Sequence, residues 1–199
     1  MCAFYKPTKE RSKVVLDWKA FPSDHFAIES QIRMWGFDPK ESMIFIGPEE
    51  GEYEVSTESI LQVIEEHADS IALVMLPGLQ YYTGQLFDIP RITKFAQDKG
   101  LPVGWDLAHC AGNVPMQLHD WNMDFAVWCT YKYMNAGPGC IGAAFIHERH
   151  GNVEYPNDGP AVFRPRLSGW YGGDLQGRME MDNSELYFLP KIHHLDRCY

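Results

Sequence analysis

Two residues stand out first for the chemistry they can do. Asp106 ends the apolar run Pro102–Asp106 and opens Asp-Leu-Ala-His109, while Lys132 follows the apolar run Asp124–Thr130 and precedes Tyr-Met-Asn-Ala-Gly-Pro-Gly139. If both runs are strands of one sheet, both side chains project from the same edge. An amine can form a Schiff base with an aldehyde, and a carboxylate can keep a pyridinium nitrogen protonated as an electron sink; these are the two needs of pyridoxal 5′-phosphate (PLP) chemistry. A lysine is a poor nucleophile at its free pKa and must be tuned by its surroundings. On spacing alone, a capping aspartate and a surface lysine are the stronger reading.

Other chemistries find less support. Gly137 and Gly139 flank Pro138, so the backbone after Lys132 is tight and can approach a ligand. There is no G-x-x-x-x-G-K-[ST] loop and no Rossmann fingerprint, which disfavours nucleotide binding. His109, Cys110 and His119 lie close together, but zinc ligands come in tighter pairs, and neither H-E-x-x-H nor C-x-x-C is present, so no metal is expected. The His193–His194 pair reads as solvated. No G-x-S-x-G elbow appears, and Cys129, beside Trp128 in an apolar run, reads as inert packing. A net charge of −10 with no basic stripe argues against nucleic acid. The longest apolar stretch, Ile71–Leu76, is far below the roughly 20 residues that span a bilayer. Five scattered cysteines and no apolar run after a basic start read as reduced thiols in a cytoplasmic protein.

The elements that must position Asp106 and Lys132 alternate. Val14–Trp18, Met43–Gly47, Ile71–Leu76, Pro102–Asp106, Asp124–Thr130 and Cys140–His147 read as strands. Ser23 is expected to N-cap a helix over 24–35 that Gly36 ends. Ser56 or Thr57 opens a helix with Ile60, Leu61, Val63 and Ile64 on its apolar face. Asp88 caps another, with Pro90 in its first turn and Gly100 past its end. This order predicts an α/β fold, a mostly parallel sheet with helices on both faces. Ligands in such sheets bind outside the carboxyl ends of the strands, which directs attention to Phe21–Asp24, Gly78–Gln85, Asp106–Gly112 and Tyr131–Gly139. Trp105, Trp121 and Trp128 are expected in the core. Phe21, at a strand-to-helix junction, suits either a stacked cofactor ring or a hydrophobic staple. Trp170 reads on local pattern as a packed loop anchor. The alternation fades after Gly151.

Taken together the motifs resemble one family. Lys19-Ala-Phe-Pro-Ser-Asp-His-Phe-Ala-Ile-Glu-Ser30, Tyr81-Tyr-Thr-Gly-Gln85, Gly104-Trp-Asp-Leu-Ala-His109, His119-Asp-Trp121, Trp128 through Gly139, and Ser168-Gly-Trp-Tyr-Gly through Met181-Asp-Asn183 are similar to kynureninase segments. The resemblance runs over roughly residues 4 to 190. It implies a fold-type-I PLP enzyme that hydrolyses L-kynurenine, or 3-hydroxykynurenine, to the anthranilate and L-alanine. It implies that Lys132 binds the cofactor and moves protons, and that Asp106 meets the pyridinium nitrogen, with Asp24 as a second acid. Phe21 stacks on the ring, with Pro22 and Ser23 in the same cofactor-binding segment, and His109 lies against the ring. Tyr131 reaches the phosphate and assists proton transfer, and Trp170 donates to the phosphate across a dimer interface. A homodimer acting in tryptophan catabolism and de novo NAD synthesis is the implied setting.

The sequence also departs from that family. The Leu-Thr phosphate-binding pair and the arginine expected for the substrate carboxylate have no counterpart, Pro77 stands where some relatives carry serine, and the pattern stops after Pro190. Residues 1–190 are expected as a partial PLP-binding large domain and 191–199 as a divergent tail. The abrupt ends read as a truncated or alternatively spliced chain that is not expected to hydrolyse kynurenine at a useful rate on its own. A cysteine desulfurase-type class V enzyme, or a non-catalytic fragment pairing with full-length subunits, are the alternatives.

Overall fold

The computed structural model describes residues 1–154, 156–157, 162–167, 169 and 179. Six strands form the main sheet: β1 (Lys13–Asp17), β2 (Met43–Ile46), β3 (Ile71–Pro77), β4 (Val103–Asp106), β5 (Phe125–Cys129) and β6 (Gly142–Ile146). Their order is β2-β1-β3-β4-β5-β6. The first five strands run parallel, and β6 returns antiparallel to β5. A small hairpin, β7 (Val153–Glu154) with β8 (Val162–Phe163), follows the sheet.

Side chains alternate across each strand, and the two sets bury against different helices. Val14, Leu16, Leu73, Met75 and Phe125 meet Ile28 and Ile32 of α1 (Pro22–Met34), with Phe4 and Tyr5 completing that layer. Val15, Val74, Leu76, Val103, Trp105 and Ala126 face the other way, onto Ile60 and Ile64 of α2 (Thr57–His67) and Ile92 and Ala96 of α3 (Ile89–Asp98). Helices therefore cover both faces, which is why β3 can be a continuous apolar run rather than an alternating one. Trp105 is fully buried, and its indole N–H donates to Thr93 Oγ1 at 2.9 Å, so the ring brings no unpaired donor into the core.

Most of the expected caps are in place. Ser56 accepts from the Ser59 N–H, Asp88 accepts from the Arg91 N–H, and Gly36 and Gly100 take the positive φ that ends a helix. Ser23 is the exception. The first helix begins two residues earlier, at Pro22, so Phe21 takes the cap position and no side chain caps the end. Proline wins because its fixed φ suits the first helical position, where a missing N–H costs nothing. One short helical turn, Pro39–Ser42, lies outside the expected elements; Asp38 caps it by accepting from the Lys40 N–H.

Candidate active site

In the parallel part of the sheet the carboxyl ends of β1, β3, β4 and β5 open to one edge. Asp17 ends β1 and Asp106 ends β4, paired in register with Pro77 of β3 and Val127 of β5. The chain then turns sharply at each exit. Asp106 Oδ1 accepts from the Ala108 N–H at 2.8 Å, which starts the Leu107–Asn113 turn and presents His109 above the edge. Gly112, at φ +78°, lets that turn lie against the next loop. A Cβ there would sit 2.8 Å from the Tyr133 carbonyl, so any larger residue would push the two loops apart. Lys132 occupies the first turn after β5, closed by the Asn135 N–H donating to the Lys132 carbonyl and the Ala136 N–H to the Thr130 carbonyl.

These local turns bring the expected residues together. Lys132 Nζ is 2.9 Å from His109 Nε2 and 5.4 Å from the centroid of Phe21. Phe21 in turn meets Tyr81 edge-on, with centroids 5.3 Å apart. Asp24, in the first turn of α1, sits within electrostatic reach of Asp106, Asp17 and Lys132. Pro22 and Ser23 are exposed beside it at the helix start. Tyr131 is half-exposed; a hydrogen bond with the Cys129 side chain is the main reason its phenol lies above the ordinary range. Trp170 lies outside the described residues. His109, Cys110 and His119, neighbours in sequence, part company. His109 faces Lys132, Cys110 is fully buried, and His119 stacks on His147 with centroids 4.7 Å apart. Among the described residues no group of three or more His, Cys, Asp or Glu is placed to hold a metal ion.

The electrostatics of the cluster are unbalanced. Burial first, and then the neighbouring carboxylate of Asp106, push Asp24 up to about 7; Asp17 adds to the rise and Lys132 opposes it. Asp17 is also raised, chiefly by burial. His109 is lowered by burial and by the Lys132 cation, which keeps its ring neutral and able to accept from the ammonium. Three carboxylates and one lysine thus share one edge, an arrangement that favours a further cationic group between the acids.

Two participants escaped the sequence reading. Asp17 and Gln80 are both about 2% exposed, and Gln80 Nε2 donates to Asp17 Oδ2 at 2.9 Å. Asp17 carried the same signal that drew attention to Asp106: one acid closing an apolar run, Val14-Val15-Leu16. Gln80 carried none, since a polar residue in a loop is unremarkable until it is found buried.

This parallel sheet, with a lysine and a carboxylate converging at its carboxyl edge, defines a PLP-type large domain. The class-V aminotransferase family profile matches residues 44–159, and the chain belongs to that family. It is 66% identical over 184 residues to the kynureninase of Sclerotinia sclerotiorum and 65% identical to that of Botryotinia fuckeliana. It is 62% identical over 186 residues to kynureninase 2 of Aspergillus oryzae. These alignments cover 92% of the chain, and the chain spans about 40% of the length of these relatives. In fold it is similar to a SepCysS–SepCysE complex (TM-score 0.59, 24% identity, 74% of this chain and 38% of that one). It is likewise similar to a cysteine desulfurase of Thermococcus onnurineus (TM-score 0.55, 18% identity, 78% and 40%).

The family and these relatives imply PLP as cofactor. The residues present fit it: an amine for its aldehyde, paired acids for its ring nitrogen and an aromatic face for its ring.

Proposed function

We propose that this chain is the cofactor-bearing part of a kynureninase-type hydrolase. Such an enzyme cleaves the Cβ–Cγ bond of L-kynurenine, or of its 3-hydroxy form, with one water to give the anthranilate and L-alanine. The observation that carries the reading is the convergence of Lys132, His109, Phe21, Asp24 and Asp106 on one sheet edge. The kynureninase relatives supply the substrate class.

Each residue then has a task. When bound, PLP supplies the electron-withdrawing ring that stabilises negative charge at the substrate Cα. Lys132 would hold the cofactor through its amine and would carry protons to and from the substrate Cα. His109, kept neutral, accepts from the Lys132 amine and fixes its direction. Asp106 would pair with the ring nitrogen, with Asp24 as a nearby second acid. Phe21 presents its ring, and Pro22 and Ser23 set the start of the helix that carries Asp24. Tyr131 would contact the phosphate and assist proton transfer. Trp170 is the proposed hydrogen-bond donor to the phosphate, from a neighbouring subunit. Residues 1–190 form part of the PLP-binding large domain, ahead of a divergent 191–199 tail. The proposed setting is a cytoplasmic homodimer in tryptophan catabolism and de novo NAD synthesis. No helix among the described residues is long and apolar enough to cross a membrane.

Borohydride reduction of the purified chain with PLP, followed by peptide mapping, tests the reading. A pyridoxyl group on Lys132 is expected. A label on Lys99 or another lysine overturns the assignment. A label on Lys132 without anthranilate fluorescence from kynurenine would assign this chain cofactor capture without turnover.

A further inference from the structure

Gln80 is a buried amide in the loop after β3, and each of its four hydrogen-bonding positions is filled. Nε2 donates to Asp17 Oδ2 at 2.9 Å and to the Lys19 carbonyl at 3.1 Å. Oε1 accepts from the Tyr82 and Thr83 N–H groups. An amide has two donors and two acceptor lone pairs, so this one is saturated in a single orientation, and a flip would set oxygen against carboxylate. One of the bonds goes to the last residue of β1, one to the loop that follows it, and two to its own loop.

A second contact joins the same loops from outside. Lys19 Nζ lies 3.9 Å from the centroid of Tyr82 and 4.9 Å from that of Trp18, and the two rings meet edge-on. The loop after β1 carries Phe21, and the loop after β3 carries Tyr81. Their rings form the aromatic wall beside Lys132. Asp17, the anchor for Gln80, is also the third acid of the cluster.

We infer that Asp17 and Gln80 form a buried latch that joins these two loops and thereby positions the Phe21–Tyr81 wall over Lys132. They are positioning residues, acting on the cofactor through Phe21, and the inference rests on the PLP reading above. Without the latch each loop would keep its own turn, but their spacing, and hence the ring spacing, would be free to vary.

The test compares wild type with Gln80→Met, which keeps the volume and removes all four bonds, and with Gln80→Asn as the conservative variant. Hydrogen exchange of the chain alone reads the latch. In Gln80→Met, peptides covering 18–24 and 78–85 are expected to exchange about tenfold faster together, while the α2 and α3 peptides stay at the wild-type rate. Titration with PLP reads the consequence: about tenfold weaker capture and reduced visible ellipticity per bound cofactor. Partial recovery of the ellipticity in Gln80→Asn supports positioning over bulk packing. Faster exchange confined to 78–85 overturns the latch. So does normal affinity and ellipticity in Gln80→Met when both loops are loosened. Failure of the wild-type chain to take up PLP on Lys132 would overturn the cofactor reading and this role with it, an outcome distinct from both.

Discussion

Two aspartates at opposite edges of the same sheet meet opposite fates. Asp124, just before β5 at the amino edge, is 5% exposed, and four groups donate to it. These are His150 Nε2 and Arg149 Nη2, each at 2.6 Å, the Val103 N–H at 2.8 Å and Gln97 Nε2 at 3.0 Å. Burial alone would raise its pKa, but these donors together hold it far below the usual carboxylate range. Asp24, at the carboxyl edge, is pushed up to about 7 by burial and by Asp106 and Asp17, with only Lys132 to offset them. A cavity of about 470 Å³ also opens at the amino edge, lined by Arg11, Arg149 and Arg164. Its arginines are engaged with Ala68, Asp124 and Ala3 respectively. A satisfied acid serves the fold; an acid held short of cations is prepared for a ligand.

The comparison breaks most severely at Asp124. Asp124→Ala leaves His150 and Arg149 without their carboxylate and is expected to cost about 3–5 kcal/mol of unfolding free energy, read by denaturant titration. A cost below about 1 kcal/mol would mean that the amino edge is no hub. Asp106→Asn comes next. An amide cannot hold a pyridinium proton, so turnover of kynurenine in the assembled enzyme is expected to fall by about 100-fold, while PLP capture weakens by less than about tenfold. Equal losses in anthranilate fluorescence and in PLP titration would leave Asp106 a binding residue only.

Asp24→Asn sharpens the contrast through pH. A carboxyl near 4 when unfolded and near 7 when folded holds its proton in the folded chain across that window. Its contribution therefore grows as pH falls from about 7 toward 4 and is lost as pH rises through 7. His109 and His147, both lowered by burial, act in the opposite sense below about 6.5, but they are common to both proteins. The melting temperature of wild type minus that of Asp24→Asn is expected to rise from pH 7.5 to pH 5. A flat difference would show that Asp24 is not under pressure. The smallest effect belongs to the exposed Lys94–Asp98 pair on α3, 2.7 Å apart. Lys94→Ala is expected to change stability by no more than about 0.5 kcal/mol in the same denaturant titration, because solvent already screens both charges.

The sequence by itself determined the elements and the reactive residues. Apolar runs bounded by caps placed each main strand and helix, because burying one face and satisfying helix ends are local demands written in neighbouring residues. The same locality exposed Asp106 and Lys132 as polar residues at the ends of apolar runs. Tertiary structure decided what local pattern cannot carry. It set the strand order that brings β1, β4 and β5 to one edge, the antiparallel return of β6, the parting of His109 from Cys110 and His119, and the pairing of Asp17 with Gln80 across 63 residues. It also decided which aspartate would be satisfied. Asp24 and Asp124 look alike in the sequence, and only the packing of distant segments gives one its donors and leaves the other among acids.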